Sequence, residues 1–262
     1  MNLAVTNWRD YVQDKKEHSV VGALKVLPRV WSPQLDNERD ILVYLPPSYS
    51  RSDQRYPVIY MQDGQNLFDR ATSFAGEEWQ VDETMEKLSR EGLEAIVVGI
   101  PHTGEGRLSE YNPFPRRWNG QGKQYLAFVA DTLKPMIDRD FRTRPGREHT
   151  GIIGSSMGGL ISLYAFFRYR QVFGFAGAMS PALWFTAGRI YRYVTRAPFT
   201  PGKIYLDHGT REGSARHMHE LLVEKGYRPG SDILYVAEEG GRHHEAAWAR
   251  RLPAALRFLL RG

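Results

Sequence analysis

The sequence predicts an α/β fold with a mostly parallel central sheet, helices on both faces and an antiparallel strand region at the N-terminal side. Short, nearly all-apolar runs such as 58–61 and 95–100 are typical of buried parallel strands. Amphipathic segments with helical periodicity alternate with these runs along the chain. The 262 residues, 42% of them hydrophobic, are enough for one sizeable domain. We expect a single domain over 1–262, with 1–17 as a candidate N-terminal extension.

The order of elements follows from apolar runs and the residues that interrupt them. The first strands lie within 18–31 and 40–45, and each is followed by prolines and polar turn residues. Further strands are predicted at 58–61, 95–100, 150–153, 173–179, 203–206 and 233–236. Helices are predicted at 81–90, 121–139 (with Pro135 inside), 161–169, 213–225 and 245–260. In such sheets ligands bind beyond the carboxyl ends of the strands, so motifs that directly follow strands are the functional candidates.

Composition excludes several classes of function. The chain has no cysteine, which removes disulfides, thiolate metal sites and a cysteine nucleophile. The net charge of +5 comes from basic residues interleaved with 30 acidic ones, and no nucleic-acid-binding motif is present, so no nucleic-acid partner is expected. No apolar run of about 18 residues predicts a membrane span. Without a recognisable signal peptide we expect a cytoplasmic protein, or a secreted one if a leader has been removed. The sequence does not indicate the oligomeric state.

A candidate nucleophile lies between the strand at 150–153 and the helix that follows it. Gly154-Ser155-Ser156-Met157-Gly158 matches G-x-S-x-G in the strand–turn–helix context that a nucleophile elbow requires. The glycines permit a tight turn, and the nearby helix N-terminus favours developing negative charge. We therefore predict Ser156 as the nucleophile; the alternative is a purely structural Gly-Ser turn.

The candidate base and acid come later in the chain, because the order in such enzymes is Ser, then Asp or Glu, then His. The segment 240–245 follows the last strand and contains His243 and His244. The acid is expected after the strand at 203–206, where both Asp207 and Glu212 are in range. Asp207 could instead fix the loop, and Glu212 could instead stabilise a helix N-terminus. Position alone leaves this choice open.

Four motifs occur in an order that resembles a known family. They are Tyr60–Phe68 (YMQDGQNLF), Gly154–Gly159 (GSSMGG), Ser180–Trp184 (SPALW) and Gly241–Trp248 (GRHHEAAW). Together they resemble the putative esterase family of α/β-hydrolases, which includes feruloyl, acetyl xylan and enterochelin esterases, S-formylglutathione hydrolase and the mycolyltransferases. The resemblance covers about 18–261 and implies the α/β-hydrolase fold.

The resemblance also implies a choice among the candidate catalytic residues. The family histidine precedes a tryptophan by five residues, which selects His243 because Trp248 follows it. The family acid closely follows a Gly-Thr pair, and the same pair at 209–210 favours Glu212 over Asp207.

Residues around the reacting carbonyl are implied in the same way. The oxyanion hole is expected to use the backbone amides of Met157 and Gln65. Asp63 and Trp184 are expected to line the substrate pocket, with a turn carboxylate and core packing as the respective alternatives. Trp79 has the same two alternatives as Trp184. A further stretch resembles the family and is expected to order the rim: Arg107, Glu110 and Tyr111.

These residues predict a serine carboxylesterase that forms an acyl-enzyme on Ser156 and needs neither a cofactor nor a metal. The expected partner is a small-molecule or saccharide ester, such as a feruloyl or acetyl sugar or a siderophore-type ester. Two alternatives stay open. One is an acyltransferase of the mycolyltransferase type, and the other is a non-catalytic binding module on the same fold.

Overall fold

The computed structural model describes residues 6–11, 18–114 and 119–261. Of the candidate N-terminal extension, residues 1–5 and 12–17 lie outside the described part. Within the described part of this segment, Arg9–Asp10 form a short strand that pairs antiparallel with Lys25 and Val26. Tyr11 donates a hydrogen bond of 2.7 Å from its hydroxyl to Asp69. This part of the N-terminal segment therefore lies against the sheet.

A nine-stranded mixed sheet forms the centre of the described chain. Its strands are β1 (Arg9–Asp10), β2 (Ala23–Ser32), β3 (Asn37–Leu45), β4 (Val58–Gln62), β5 (Ile96–Ile100), β6 (Thr150–Ser155), β7 (Phe175–Met179), β8 (Lys203–Gly209) and β9 (Ile233–Glu238). The spatial order is β1-β2-β3-β5-β4-β6-β7-β8-β9. Pairing is antiparallel from β1 to β5 and parallel from β5 through β4 to β9. Both the parallel sheet and the antiparallel N-terminal region predicted from the sequence are confirmed.

Helices connect the parallel strands, and a final helix follows the last strand. They are α1 (Val81–Ser89), α2 (Arg107–Glu110), α3 (Gly122–Ala127), α4 (Lys134–Asp140), α5 (Met157–Arg168), α6 (Phe185–Arg196), α7 (Arg216–Glu224) and α8 (Glu245–Leu260). The predicted helix at 121–139 is helical from Gly122 onward, with a π-helical segment at Phe128–Leu133 joining α3 to α4. Pro135 lies where the π-helical segment passes into α4. No helix in the described part of the chain is long and apolar enough to cross a bilayer.

Both faces of the sheet are buried, which explains why its central strands are apolar throughout rather than alternating. Along β4, Tyr60 packs into a cluster on one face, while Ile59 and Met61 pack into a second cluster on the other. The first cluster includes side chains of α3, α5 and α6, and the second includes side chains of α1 and α8. The polar ends of the strands are therefore the part of the sheet that is free to build a site.

Strand β8 is longer than the sequence predicts. The prediction ended it at Leu206, but Asp207, His208 and Gly209 continue the parallel pairing with β9. Side chains alternate between the two faces of a strand, so Asp207 has its direction fixed by the sheet. Glu212 lies beyond the strand, in the loop before α7.

Candidate active site

The predicted nucleophile lies at a sharp turn between β6 and α5. Ser156 has φ 54° and ψ −119°, a backbone region that costs a non-glycine residue about 1–3 kcal/mol. Two hydrogen bonds of 2.9 Å hold the turn: the Ser156 N–H donates to the carbonyl of Met179, and the Ala182 N–H donates to the carbonyl of Ser156. The strained conformation is thus fixed by β7 and by the loop that follows it.

The flanking glycines are required by close approach. A Cβ on Gly154 would lie 2.6 Å from the backbone of Gly158, and a Cβ on Gly158 would lie 2.9 Å from the Cβ of Gln62. Real Cβ atoms essentially never approach so closely. The G-x-S-x-G pattern therefore reflects how tightly the turn packs against itself and against the end of β4.

Two loops bring the predicted acid and base together. One follows β8 and carries Glu212, and the other follows β9 and carries His243. A Cβ on Gly209 would lie 2.2 Å from the backbone of Gly241, so the loops meet without space for a side chain. The Arg211 N–H donates to the carbonyl of Gly241 at 3.0 Å, which closes the contact.

A chain of hydrogen bonds joins the three predicted side chains. His243 Nε2 lies 2.9 Å from Ser156 Oγ, and His243 Nδ1 lies 2.5 Å from Glu212 Oε2. The ring of Trp248 packs edge-on against the imidazole, with 5.1 Å between ring centroids. The other histidine of the pair, His244, instead faces Glu77 at 3.7 Å. The structure thus brings Ser156, His243 and Glu212 into one arrangement.

Glu212 is held as a carboxylate. Its Oε1 accepts hydrogen bonds from the Gly209 N–H at 2.6 Å and from the Ser180 hydroxyl at 2.7 Å. Burial alone would raise the pKa of Glu212, but the hydrogen bonds to its two oxygens outweigh burial and lower that pKa. An ionised Glu212 can only accept, so His243 carries its proton on Nδ1 and leaves Nε2 free to accept the Ser156 proton.

The alternative acid, Asp207, has a different environment. It is fully buried, and its carboxylate accepts hydrogen bonds from the Ser180 N–H at 2.8 Å and from Arg251 Nε at 2.9 Å. Burial raises the pKa of Asp207 to about 6. Among the described residues it forms no hydrogen bond with His243. Asp207 therefore binds α8 to β8 rather than contacting the imidazole.

Two backbone amides were predicted as oxyanion donors. Met157 is the first residue of α5, and Gln65 lies in a 3₁₀ turn, Gly64–Asn66, directly after β4. In the described part of the chain neither amide hydrogen has an acceptor. The loop of Gln65 lies against the start of α5, since a Cβ on Gly158 would be 3.4 Å from Asp63 Oδ2. Both amides therefore lie on elements that flank the turn of the predicted nucleophile.

The side chain of Asp63 is largely buried, which limits its contact with a substrate. It is 4% exposed, and Arg107 binds its carboxylate with both Nε (2.7 Å) and Nη2 (2.8 Å). The Asp63 N–H donates to the hydroxyl of Tyr111 at 3.1 Å. Burial opposes the charged guanidinium, but the bond to Asp63 outweighs it and raises the pKa of Arg107. Arg107 and Tyr111, two of the expected rim residues, thus hold the loop of Asp63. The third, Glu110, forms a buried ion pair with Arg39 at 2.7 Å.

The two tryptophans considered for the pocket differ in how far they are exposed. Trp79 is 1% exposed and packs against Trp248, so it belongs to the core. Trp184 is 75% exposed, and core packing is excluded for it. Two more apolar side chains, Phe74 and Leu108, are exposed in the segments between β4 and α1 and between β5 and α3.

The sequence did not predict the contacts that Ser180 and Arg251 make at the site. Ser180 lies in a motif noted in the sequence, but its hydrogen bond to Glu212 is made across 32 positions. Arg251 follows Trp248 by three residues and therefore shares a face of α8 with it. Within residues 6–11, 18–114 and 119–261, no group of three or more His, Asp or Glu side chains is placed to hold a metal ion.

A family model and several curated proteins match this chain. The family model described as "Putative esterase" matches residues 32–259. The uncharacterized protein YbbA of Bacillus subtilis is 28% identical over 84% of this chain and 92% of its own. Ferri-bacillibactin esterase BesA of B. subtilis is 25% identical over 88% of each chain. An endo-1,4-beta-xylanase/feruloyl esterase of Xylanibacter ruminicola is 22% identical over 85% of this chain and 29% of its own.

Solved structures show the same fold. A ferulic acid esterase superposes with a TM-score of 0.72 at 22% identity, covering 90% of this chain and 98% of its own. The enterobactin esterase Fes of Shigella flexneri, solved in the presence of enterobactin, has a TM-score of 0.73 at 18% identity, covering 93% of this chain and 60% of its own. The predicted α/β-hydrolase fold is confirmed.

Proposed function

The chain belongs to the Putative esterase family of α/β-hydrolases, and from this premise we propose that it is a serine carboxylesterase with Ser156 as nucleophile, His243 as base and Glu212 as acid. The observation that carries the proposal is the hydrogen-bond chain from Ser156 Oγ through His243 to Glu212, with distances of 2.9 and 2.5 Å. A base that can accept the hydroxyl proton, itself oriented by a carboxylate, is what activation of a serine requires.

Acylation begins when His243 Nε2 removes the proton from Ser156 Oγ as that oxygen bonds to the ester carbonyl carbon. The carbonyl π electrons move to oxygen, and the amides of Met157 and Gln65 donate hydrogen bonds to the resulting oxyanion. The imidazolium is stabilised by Glu212. When the tetrahedral intermediate collapses, the bond to the alcohol oxygen breaks, and His243 returns the proton to that oxygen. The alcohol departs and leaves an ester on Ser156.

Deacylation repeats these steps with water. His243 removes a proton from a water molecule, whose oxygen adds to the acyl carbon. The second intermediate breaks the bond to Ser156 Oγ, which regains its proton from His243, and the carboxylic acid is released. Proton and electron pairs balance over the cycle, and the cycle uses only residues of this chain and water.

For the substrate we propose a small-molecule or saccharide ester of the feruloyl-sugar, acetyl-sugar or siderophore type. The relatives named as a feruloyl esterase and a ferri-bacillibactin esterase support this range. Trp184 follows by two residues Ala182, whose N–H donates to the carbonyl of Ser156, and its exposed ring offers an apolar surface. Asp63 would act through Arg107, whose guanidinium remains partly exposed beside it.

The decisive experiment replaces the nucleophile. Ser156→Ala should reduce hydrolysis of p-nitrophenyl acetate by at least about 10⁴-fold while the protein stays folded. Ser162→Ala is the matched control, because Ser162 is a buried serine of α5 whose hydroxyl has no partner among the described residues. Full activity in folded Ser156→Ala protein would overturn the proposal.

Two measurements separate the alternatives. A fluorophosphonate probe should label the wild-type protein and not Ser156→Ala; an unlabelled wild-type protein would favour a binding module. Transfer of the acyl group to an added alcohol in preference to water would favour an acyltransferase.

The substrate class is tested by measuring kcat and KM with acetyl, feruloyl and longer acyl esters. Trp184→Ala should raise KM most for the esters with aromatic acyl groups. An equal change for all esters would exclude a pocket role for Trp184.

A further inference from the structure

A buried serine links Glu212 to charged groups beneath the site. Ser180 is 3% exposed and lies directly after β7 with φ 40°, where its hydroxyl meets the Oε1 atom of Glu212 at 2.7 Å. We propose that Ser180, held by Arg251 and Trp248, is a positioning residue that lies between Glu212 and Arg251 and keeps Glu212 directed at His243. The inference rests on the proposed function and assigns a residue beyond the Ser-His-Glu arrangement.

The direction of the Ser180 hydrogen bond follows from counting donors. A hydroxyl has one proton and two acceptor sites. Trp248 Nε1 lies 3.0 Å from Ser180 Oγ, and Arg251 Nη2 lies 2.7 Å from it. Indole and guanidinium groups can only donate, so both acceptor sites of Ser180 are filled. Its single proton must therefore point to Glu212.

The direction of this hydrogen bond determines which atoms donate and which accept in the series from Ser180 through Glu212 to His243. Glu212 Oε1 receives donors from Ser180 and from the Gly209 amide, so that oxygen cannot carry a proton without a clash. Oε2 is left to accept the Nδ1 proton of His243. With Glu212 ionised, Oε2 accepts the Nδ1 proton, and the donors to Oε1 orient the carboxylate for that contact. Trp248 contributes twice, because it also packs against the imidazole ring.

Arg251 supplies the charge behind Ser180, and its own charge is balanced elsewhere. The guanidinium is 4% exposed and binds Asp207 through Nε at 2.9 Å and Glu238 through Nη1 at 2.8 Å. Its Nη2 atom is 3.7 Å from Glu212 Oε1, with Ser180 Oγ as the nearer partner. The two partner carboxylates thus hold Arg251 away from Glu212, whose negative charge remains available to the imidazolium.

Other titratable groups face the cluster and are neutral near pH 7. Burial raises the pKa of Tyr205, on β8, which therefore stays protonated. Burial lowers the pKa of His208, on the same strand, which favours its uncharged form. Among the described residues, the charged groups that Arg251 of α8 contacts are Asp207 of β8, Glu238 of β9 and Glu212 itself.

The first test removes the hydroxyl with Ser180→Ala. Arg251 Nη2 then loses its acceptor and approaches Glu212 directly, which weakens the stabilisation of the imidazolium. We expect kcat for p-nitrophenyl acetate to fall about 10- to 100-fold, the range for losing a hydrogen bond to a charged group, with KM changed less than about twofold. The acidic limb of the kcat/KM profile should move to lower pH, because the protonated imidazole is less favoured.

The control for this test is Ser162→Ala, which removes an equally buried hydroxyl with no partner among the described residues. Its kcat and pH profile should match the wild type. A folded Ser180→Ala protein whose kcat and acidic limb also match the wild type would overturn the inference. A general loss of structure would instead lower the active fraction without moving the pH limb.

A second pair of variants serves if Ser180→Ala does not fold. Glu238→Gln removes one carboxylate partner of Arg251 at a half-buried position, and Glu239→Gln removes the neighbouring exposed charge, which contacts no described basic group. We expect Glu238→Gln to shift the acidic limb to lower pH and to lower kcat, whereas Glu239→Gln does neither. Equal effects of both variants would overturn the inference.

The outcomes also separate this inference from the proposed function. If Ser156→Ala keeps its activity, the serine esterase mechanism fails and the role of Ser180 fails with it. If Ser156→Ala is inactive while Ser180→Ala and Glu238→Gln behave as the wild type, only the positioning role is refuted.

Discussion

Replacing Glu212 by glutamine tests the arrangement at the centre of the site. The substitution keeps the size of the side chain and removes one acceptor. In the native site Oε1 receives two donors, from Gly209 and Ser180, while Oε2 receives one, from His243. A primary amide offers one oxygen that accepts and one NH₂ that only donates. One side of the glutamine must therefore meet a donor.

The geometry predicts which side this is. Placing the amide oxygen toward Gly209 and Ser180 satisfies two donors, and the NH₂ group then faces His243 Nδ1. That contact selects the imidazole tautomer with its proton on Nε2, which cannot accept the proton of Ser156. A wrong tautomer of this kind lowers kcat by about 10⁴-fold, or about 5 kcal/mol in the activation free energy.

The assay is kcat/KM for p-nitrophenyl acetate, with circular dichroism and thermal melting to establish folding. Asp207→Asn is the informative comparison, because Asp207 contacts Arg251 and not the imidazole. We expect it to lower Tm more than Glu212→Gln and to lower kcat less. The reasoning is refuted if folded Glu212→Gln retains more than about a tenth of the wild-type kcat, or if Asp207→Asn shows the larger loss of kcat.

Three further outcomes follow from the packing and charges around the site. Gly209→Ala should lower both Tm and kcat, because its Cβ would lie 2.2 Å from the facing loop. Gly213→Ala is the control and should change neither, because its Cβ meets nothing within 4 Å. Equal melting temperatures of the two variants would contradict this prediction. Arg107→Ala leaves the Asp63 carboxylate buried without its partner and should cost about 3 kcal/mol of unfolding free energy in denaturant titrations. Because folding lowers the pKa of Glu212, its contribution to stability is present above the unfolded pKa of about 4.3 and is lost as pH falls through the lower folded value. The wild-type advantage over Glu212→Gln in unfolding free energy should therefore shrink on acidification, and a constant difference would argue against an ionised Glu212.

Much of the fold and part of the site could be predicted from local patterns. The apolar runs at 58–61 and 95–100 and the Gly-rich turn around Ser156 are local signals, because period and glycine content act over a few residues. They place the strands β4 and β5 and the turn of the predicted nucleophile within a residue or two of the structure. Other bounds are further off: α5 begins at Met157, four residues before the predicted start, and α6 (Phe185–Arg196) was not predicted.

The sequence by itself determined the α/β class, the position of Ser156 after a strand and the pair of histidines that follow the last strand. Position in the sequence left Asp207 and Glu212 both open and the family resemblance favoured Glu212; the tertiary structure shows that Glu212 is the carboxylate in contact with the imidazole. Pairing with β9 extends β8 through Gly209 and turns Asp207 toward α8. Contact between Gly209 and Gly241 then brings the following loop, with Glu212, to the imidazole. The physical reason is that strand pairing and loop contact join residues about thirty positions apart, which patterns over a few residues do not encode.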